Sequence, residues 1–463
     1  MTEIAISWTP DIDKSAGPVY LAIADALSAD IQAGRLAGGT RLPPQRTLAE
    51  VLGIDFTTVS RAYTEARRRG LVEGKVGQGT YVRSKRPLLN GAVPSGLVDM
   101  SMNMPPRFDD SGLTTRMWRS VNELEADGGL DLLLRYQEPG GTGRDRAAGV
   151  SWLSSRLDGL FTDRVLVCPG AQGALLALAG ALATPGDTIC TEPLTYPGFL
   201  SLAAHLRLQL VSVASDADGP IPEAFDKVCI ERRPKAFYCN PTIQNPTTLT
   251  IPLKRRQALA AIARHHHVPI IEDDAYGALP TAPVAPFAAI APDIVYHVAG
   301  LAKCLAPALR IAYLVVPDSR SAIRLAGAIR ATASMASPVT ASIATRWIED
   351  GTADAVLAAI RNEAAARQVL ATHILPADML RIDPEGFHLW LNLPQPWTRG
   401  EFVARLRSIG IGVVTSDAFA LASPPEAVRV GLGAPASRAE LEQGLRAMAD
   451  LLAQPPAMSS LVI

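Results

Sequence analysis

Seven short apolar runs, RVLVCPG, DTICTE, LQLVSVA, AFYCNP, VPIIEDDA, DIVYHVAG and RIAYLVV, lie between residues 164 and 316, with segments of helical pattern among them. No other feature constrains the fold as strongly. Strands that read as nearly unbroken apolar stretches are buried on both faces, and their alternation with helices predicts a mainly parallel sheet covered on two sides. Ligands of such sheets bind beyond the carboxyl ends of the strands, which is where the chemically interesting residues of these runs fall. After a long helical stretch beyond residue 335, GFHLWLNLP, GIGVVTS and AVRVGLG predict the strands of a smaller α+β subdomain, about residues 340–463.

A chain of 463 residues is too long for one ordinary core, so two or three domains are expected. The segment SKRPLLNGAVPSGL (84–97) has two prolines, two glycines and no periodicity, and reads as a linker. The expected division is 1–84, a linker at 85–97, and 98–463. Residues 35–86 hold eleven Lys or Arg against four Asp or Glu, a surplus that points to an anionic partner. The five cysteines show no CxxC pair and no metal-ligand spacing, which suits buried thiols in a reducing compartment. The N-terminus lacks a secretory pattern, and the apolar stretch 173–186 is too short to span a bilayer. A cytoplasmic protein with no membrane part is expected. The run His265, His266, His267 sits at a helix end, where histidines complement the dipole, so no metal is expected there. The glycines of EPGGTGRDR (138–146) do not follow a strand, which argues against a nucleotide loop.

Lys303 stands out within YHVAGLAKCLAPALRIAYLVV (296–316), where the only cations are Lys303 and Arg310. The pattern predicts a buried strand, a short turn and a second buried strand. A lysine there loses hydration, so its pKa falls toward the range in which the neutral amine attacks carbonyls. The plainer reading is a lysine that snorkels from a strand end to water. Neighbouring segments favour the first. VPIIEDDAY places Asp273 at a strand end with Tyr276 three residues on, so a carboxylate and a phenol can flank one flat heterocycle. CNPTIQNPTTLT offers Asn245 in a turn set by Pro246. CPGAQGA leads from a strand into a helix whose amides can hold an anion, and EPLTYPG sets Tyr196 on a turn.

In the N-terminal unit, apolar positions Ile23, Ala26, Leu27 and Ile31 mark a first helix with Gly34 as its stop. Pro43 and Pro44 start a second helix, Gln45 to Leu52, which Gly53 ends. A third runs near Thr57 to Gly70, and two short strands around Leu71–Glu73 and Thr80–Val82 form a wing. The segments RLPPQRTLAEVLG, TTVSRAY and GLVEGKVGQGTYV resemble the winged helix-turn-helix DNA-binding domain of the GntR family of regulators. The resemblance implies that Arg46, Thr57, Thr58 and Ser60 meet double-stranded DNA, and that the Gly77 wing lies along the minor groove. Where many relatives have a small polar residue and an arginine, this chain has Asp55 and Phe56; the aspartate is expected to cap the third helix.

From 136 to 433 the chain resembles the fold type I aminotransferases, which use pyridoxal 5'-phosphate. This implies that Lys303 forms the internal aldimine, that Asp273 pairs with the pyridine nitrogen, that Asn245 and Tyr276 contact the phenolic oxygen, and that Tyr196 stacks on the ring. Arg310 and the amides of Gly170, Ala171 and Gln172 would bind the phosphate. Arg429 would grip a substrate carboxylate, and Tyr136 would reach the phosphate of a partner subunit, which implies a homodimer. The family usually carries hydroxyls one and three residues before the lysine; Ala302 and Gly300 stand there instead, so cofactor affinity is expected to be weakened.

A GntR-type winged helix joined to an aminotransferase-like domain is the arrangement of the MocR subfamily, which the whole chain resembles. The resemblance implies a pyridoxal phosphate-dependent transcriptional regulator that senses an amine or amino acid by external aldimine formation. The alternative is an aminotransferase with an accessory DNA-binding domain.

Overall fold

The structure, a computed structural model, describes residues 8–12, 17–32, 35–36, 40–69, 71–75, 79–82, 98–125, 129 and 131–454. The chain separates into two compact units, Met1–Ser95 and Gly96–Ile463.

The first unit has helices α1 (Val19–Gln32), α2 (Gln45–Leu52) and α3 (Phe56–Arg68), followed by an antiparallel ribbon of β1 (Val72–Lys75) and β2 (Gly79–Val82). Its core gathers Ile23, Leu27, Leu48, Val59, Ala62, Tyr63, Val72 and Val82. Gly53 adopts the left-handed conformation that ends α2, at φ 59°. Asp55 caps α3 as expected, its carboxylate accepting from the Thr57 N–H at 2.7 Å. Buried Tyr63 donates its hydroxyl to the Pro43 carbonyl at 2.8 Å, tying α3 to the entry of α2. Gly34, Gly77 and the linker expected at 85–97 lie outside the described residues.

In the second unit, all seven expected strands form one sheet. They are β4 (Val165–Cys168), β5 (Thr188–Thr191), β6 (Gln209–Ser212), β9 (Ala236–Cys239), β10 (Ile270–Asp273), β11 (Val295–Gly300) and β12 (Ala312–Val315), in the order β4-β12-β11-β10-β9-β5-β6. The short ribbon β7 (Ser215–Asp216) and β8 (Gly219–Pro220) lies apart. Only β12 runs against its neighbours. A parallel return needs a crossover of about a dozen residues or more, usually helical, and the eleven residues between Gly300 and Ala312 hold only turns and a three-residue 3-10 helix, Pro307–Leu309. That fold-back brings Arg310, just before β12, to the end of the sheet where β10 and β11 finish.

The smaller lobe is an antiparallel sheet in the order β13 (Leu380–Ile382), β14 (His388–Asn392), β17 (Ala427–Gly431), β16 (Val414–Thr415). Its make-up differs from expectation in two ways. Ala341, Ala344 and Trp347, and then Val356, Ile360 and Ala364 of the helix Thr352–Ile374, pack into the core of the large lobe; Ala371 and Leu375 belong to the small one. The helix has 23 residues, and at 1.5 Å each it spans roughly 35 Å, enough to serve both cores. The small lobe also takes in residues from far earlier in the chain: β3 (Val98–Asp99) pairs in parallel with β15 (Ile411–Gly412), and Met100 enters its core. GIGVVTS is therefore two short strands serving two sheets. No described helix is long and apolar enough to cross a membrane.

Candidate functional site

The site forms beyond the carboxyl ends of β4, β9, β10 and β11. Asp273 closes β10 and is buried; its Oδ2 accepts from the Tyr238 hydroxyl at 2.7 Å, while its Oδ1 is buried without a partner. Burial raises the Asp273 carboxyl to about 6, the like charge of Asp274 adds to this, and the Tyr238 hydrogen bond and Lys303 oppose it. Asp274 itself is held ionised by a buried pair with Arg156 and by His297.

Lys303 occupies the turn after β11. The residue keeps some surface, but its amine sits among buried groups and donates to the main-chain oxygen of Asn103. Burial, together with the charges of Arg429 and Arg310, lowers its pKa to about 8 against the opposing pull of Asp273. Arg310 is exposed and forms no ion pair among the described residues; a Cβ added at Gly170 would lie 3.2 Å from its guanidinium. Gly170, at φ 74°, opens the helix Gly170–Leu182, which no side chain caps. Uncapped first-turn amides at Gly170, Ala171 and Gln172 beside a free guanidinium form an anion cradle. Gln172 Nε2 donates to the Gly198 carbonyl at 2.9 Å.

Arg429, on β17, is 7% exposed, yet no carboxylate pairs with it among the described residues. It donates to Asn245 Oδ1 at 2.9 Å and to the Ser101 carbonyl, lies 5.0 Å over the Phe419 ring, and leaves its Nε unpartnered. Asn245 is thereby engaged with Arg429. Tyr276 is buried and accepts at its hydroxyl from Asn103 Nδ2 at 2.8 Å. Tyr196 is half-buried, with burial and then Asp273 holding its phenol protonated while Arg310 and Arg429 oppose them. Tyr136 is 88% exposed.

At Gly300 an added Cβ would lie 3.3 Å from the Ala171 methyl, so a larger side chain there requires the cradle's helix start to give by a few tenths of an ångström. Cys304 is buried and its thiol is pushed up to about 12, which makes it a packing residue. His266 lies 2.6 Å from Asp226, and no group of three potential metal ligands occurs among the described residues.

Tyr238, Ser101 and Asn103 are among the residues with contacts here that sequence reasoning does not single out. Tyr238 could have been found, because a tyrosine inside a buried strand needs a partner for its hydroxyl. Ser101 and Asn103 act largely through main-chain oxygens, which leave no mark in a sequence.

On the winged-helix unit, Arg46 and Thr57 are exposed, and Thr58 and Ser60 are half-buried. The Arg46 guanidinium lies 5.9 Å from the ring of Phe56, itself 44% exposed at the start of α3. Both donors of Thr57, its N–H and its hydroxyl, go to Asp55.

A lysine after a strand, an acid with one open oxygen on the neighbouring strand and an anion cradle at a helix start lie on a fold of one class, that of the fold type I aminotransferases. "Aminotransferase class I and II" matches residues 97–448, and "Bacterial regulatory proteins, gntR family" matches residues 19–82. The kynurenine aminotransferase of Pyrococcus horikoshii superposes with a TM-score of 0.71 at 21% identity, covering 78% of this chain and 91% of its own. Over 453 residues the chain is 31% identical to YdeF of Bacillus subtilis, an uncharacterized HTH-type transcriptional regulator, covering 96% of this chain and 97% of YdeF. It is 26% identical over 427 residues to PtsJ of Salmonella typhimurium, a vitamin B6 salvage pathway transcriptional repressor, covering 90% and 94%. The chain belongs to the MocR subfamily of GntR transcriptional regulators. The aminotransferase family implies pyridoxal phosphate, and the residues present fit it: the open Asp273 oxygen suits a ring N–H, and the Arg310 cradle suits a phosphate.

Proposed function

We propose that this chain is a DNA-binding regulator that holds pyridoxal phosphate at Lys303 and responds when an amine or amino acid takes the lysine's place on the cofactor. The observation that carries the reading is electrostatic. Lys303, Arg310 and Arg429 lie within reach of one another with Asp273 among them, and neither arginine has an acid partner among the described residues. Such a site favours an occupant with a phosphate at one end and a carboxylate at the other. When bound, the cofactor supplies a carbonyl that condenses with amines and a ring that accepts electrons. Lys303 supplies the competing amine, Asp273 keeps a ring nitrogen protonated, and the uncapped helix start holds the phosphate. The name of PtsJ, tied to vitamin B6 salvage, supports regulation built on this cofactor.

Coupling to DNA needs an occupant that favours one lobe arrangement over another. Residues 98–103 suit that role. They join the small lobe at β3, meet Arg429 through Ser101 and Lys303 through Asn103, and lead back along the chain to the linker proposed at 85–97. Exposed Tyr136, with Trp118 and Leu134 also exposed, supports a homodimer that covers them.

Arg429→Ala is expected to weaken carboxylate-bearing effectors on the order of 100-fold, the loss of a bidentate charged pair, while simple amines keep their affinity. Spectral titration with matched amine and amino-acid pairs measures this; equal losses for both would refute the assignment. At the winged helix, Arg46→Ala is expected to weaken binding to a selected duplex about tenfold and to lower the salt slope by about one, read by fluorescence anisotropy across a salt series. The intact Lys303, Asp273, Tyr276 and Arg429 favour a second reading, a working aminotransferase with an accessory DNA-binding domain. Turnover of amino acid and keto acid at ordinary enzyme rates would establish it over the first.

A further inference from the structure

Asn103 meets two site residues through two different groups. Its main-chain oxygen accepts from Lys303 Nζ, and its side-chain amide donates to the Tyr276 hydroxyl at 2.8 Å. The residue is 7% exposed, and its Oδ1 is buried without a partner. The backbone around it is pinned on both sides. Met100 N–H donates to the Gly412 carbonyl at 2.8 Å, and Gly431 N–H donates to the Met100 carbonyl at 2.7 Å. A Cβ at Gly431, the last residue of β17, would lie 2.6 Å from the Met102 carbonyl oxygen, so β17 and this segment are in close contact.

A phenol has one proton and can rotate it freely unless a neighbour fixes its direction. With Asn103 donating to Tyr276, the oxygen's acceptor side is occupied and its proton must point elsewhere. Burial holds the Tyr276 phenol well above its usual pKa, so the proton stays in place. We propose that Asn103 is a positioning residue: it aims the Tyr276 proton at the phenolic oxygen of the bound cofactor and, through its carbonyl, receives the Lys303 amine whenever that amine is free. The inference rests on pyridoxal phosphate binding at Lys303, and it assigns a role to a residue outside the expected cofactor set.

The consequence is spectroscopic. Negative charge on the phenolic oxygen helps to hold a proton on the nearby lysine nitrogen, because opposite charges favour the charged form. A donor aimed at that oxygen shares the charge, and the nitrogen releases its proton at lower pH. The test follows the visible absorbance of the full-length protein with pyridoxal phosphate from pH 5 to 10. Asn103→Ala and the similarly sized Asn103→Leu are expected to raise the midpoint by about one pH unit. Tyr276→Phe should raise it too, and the double variant Asn103→Ala with Tyr276→Phe should match Tyr276→Phe alone. Unchanged midpoints in the Asn103 variants, or a shift that adds to that of Tyr276→Phe, would overturn the proposal. If the apolar variants fail to fold, Asn103→Asp, which keeps the shape but only accepts, must raise the midpoint at least as far; a wild-type midpoint refutes the role. Absence of any visible band in the wild type would instead overturn the cofactor reading itself.

Discussion

Lys303→Ala is expected to abolish the visible absorbance band that forms when the wild-type protein is mixed with pyridoxal phosphate, and to weaken cofactor binding ~100-fold, or roughly 3 kcal/mol. The variant loses the amine that bonds to the carbonyl, while Arg310, the helix amides and Asp273 still offer their contacts. In the wild type the band should also form faster as pH rises. With a pKa of about 8, Lys303 is neutral in only about a tenth of molecules at pH 7 and in most of them at pH 9. Stopped-flow absorbance checks both points. A band of unchanged position and intensity in Lys303→Ala would place the chemistry on another lysine.

Asp273→Asn should have opposite effects on stability and on binding. The native carboxyl is raised to about 6 from 3.8, chiefly by burial. A carboxyl whose folded pKa exceeds its unfolded value favours the folded state less as pH rises from about 4 to about 6, here by about 3 kcal/mol in total. Above that range the unliganded protein carries the full cost of a buried anion. A protonated ring nitrogen bonded to the open Oδ1 would offset it, so thermal stabilisation by pyridoxal phosphate should be larger at pH 7.5 than at pH 5. Asparagine keeps the acceptor for Tyr238 and removes the charge. The unliganded variant is therefore expected to gain stability at pH 7 on the order of 2–3 kcal/mol, while its affinity for the cofactor drops roughly 30- to 100-fold. Thermal melts with and without cofactor across this pH range measure both. A variant less stable than the wild type at pH 7 would contradict the account.

The large sheet and the winged helix were legible because both write their packing as periodicity. Fully apolar runs gave the seven strands, and Gly53 and the Pro43–Pro44 pair marked the bounds of α2. The positions of Asp273, Lys303 and Arg310 followed from strand ends. What stayed hidden depends on main-chain groups or on single shapes. Asn103 and Ser101 meet Lys303 and Arg429 through carbonyl oxygens, which every residue carries. Gly300 read as a missing hydroxyl, whereas the structure also sets the Ala171 methyl close to where a Cβ there would lie. Thr57 read as a DNA contact, but its N–H and hydroxyl are both held by Asp55, so DNA there must compete with that cap. The small lobe began later than its helical pattern suggested because one long helix serves two cores.

In the proposed function, chemistry at Lys303 controls the grip on DNA. That control is tested most directly by measuring affinity for a selected operator duplex, at fixed salt and with pyridoxal phosphate present, while amines and amino acids that shift the absorbance are added. At least one such compound is expected to change the wild-type affinity by ~5-fold or more, the lower end of typical allosteric coupling, and to leave Lys303→Ala unchanged. Equal DNA affinity with and without every compound that shifts the spectrum would contradict it.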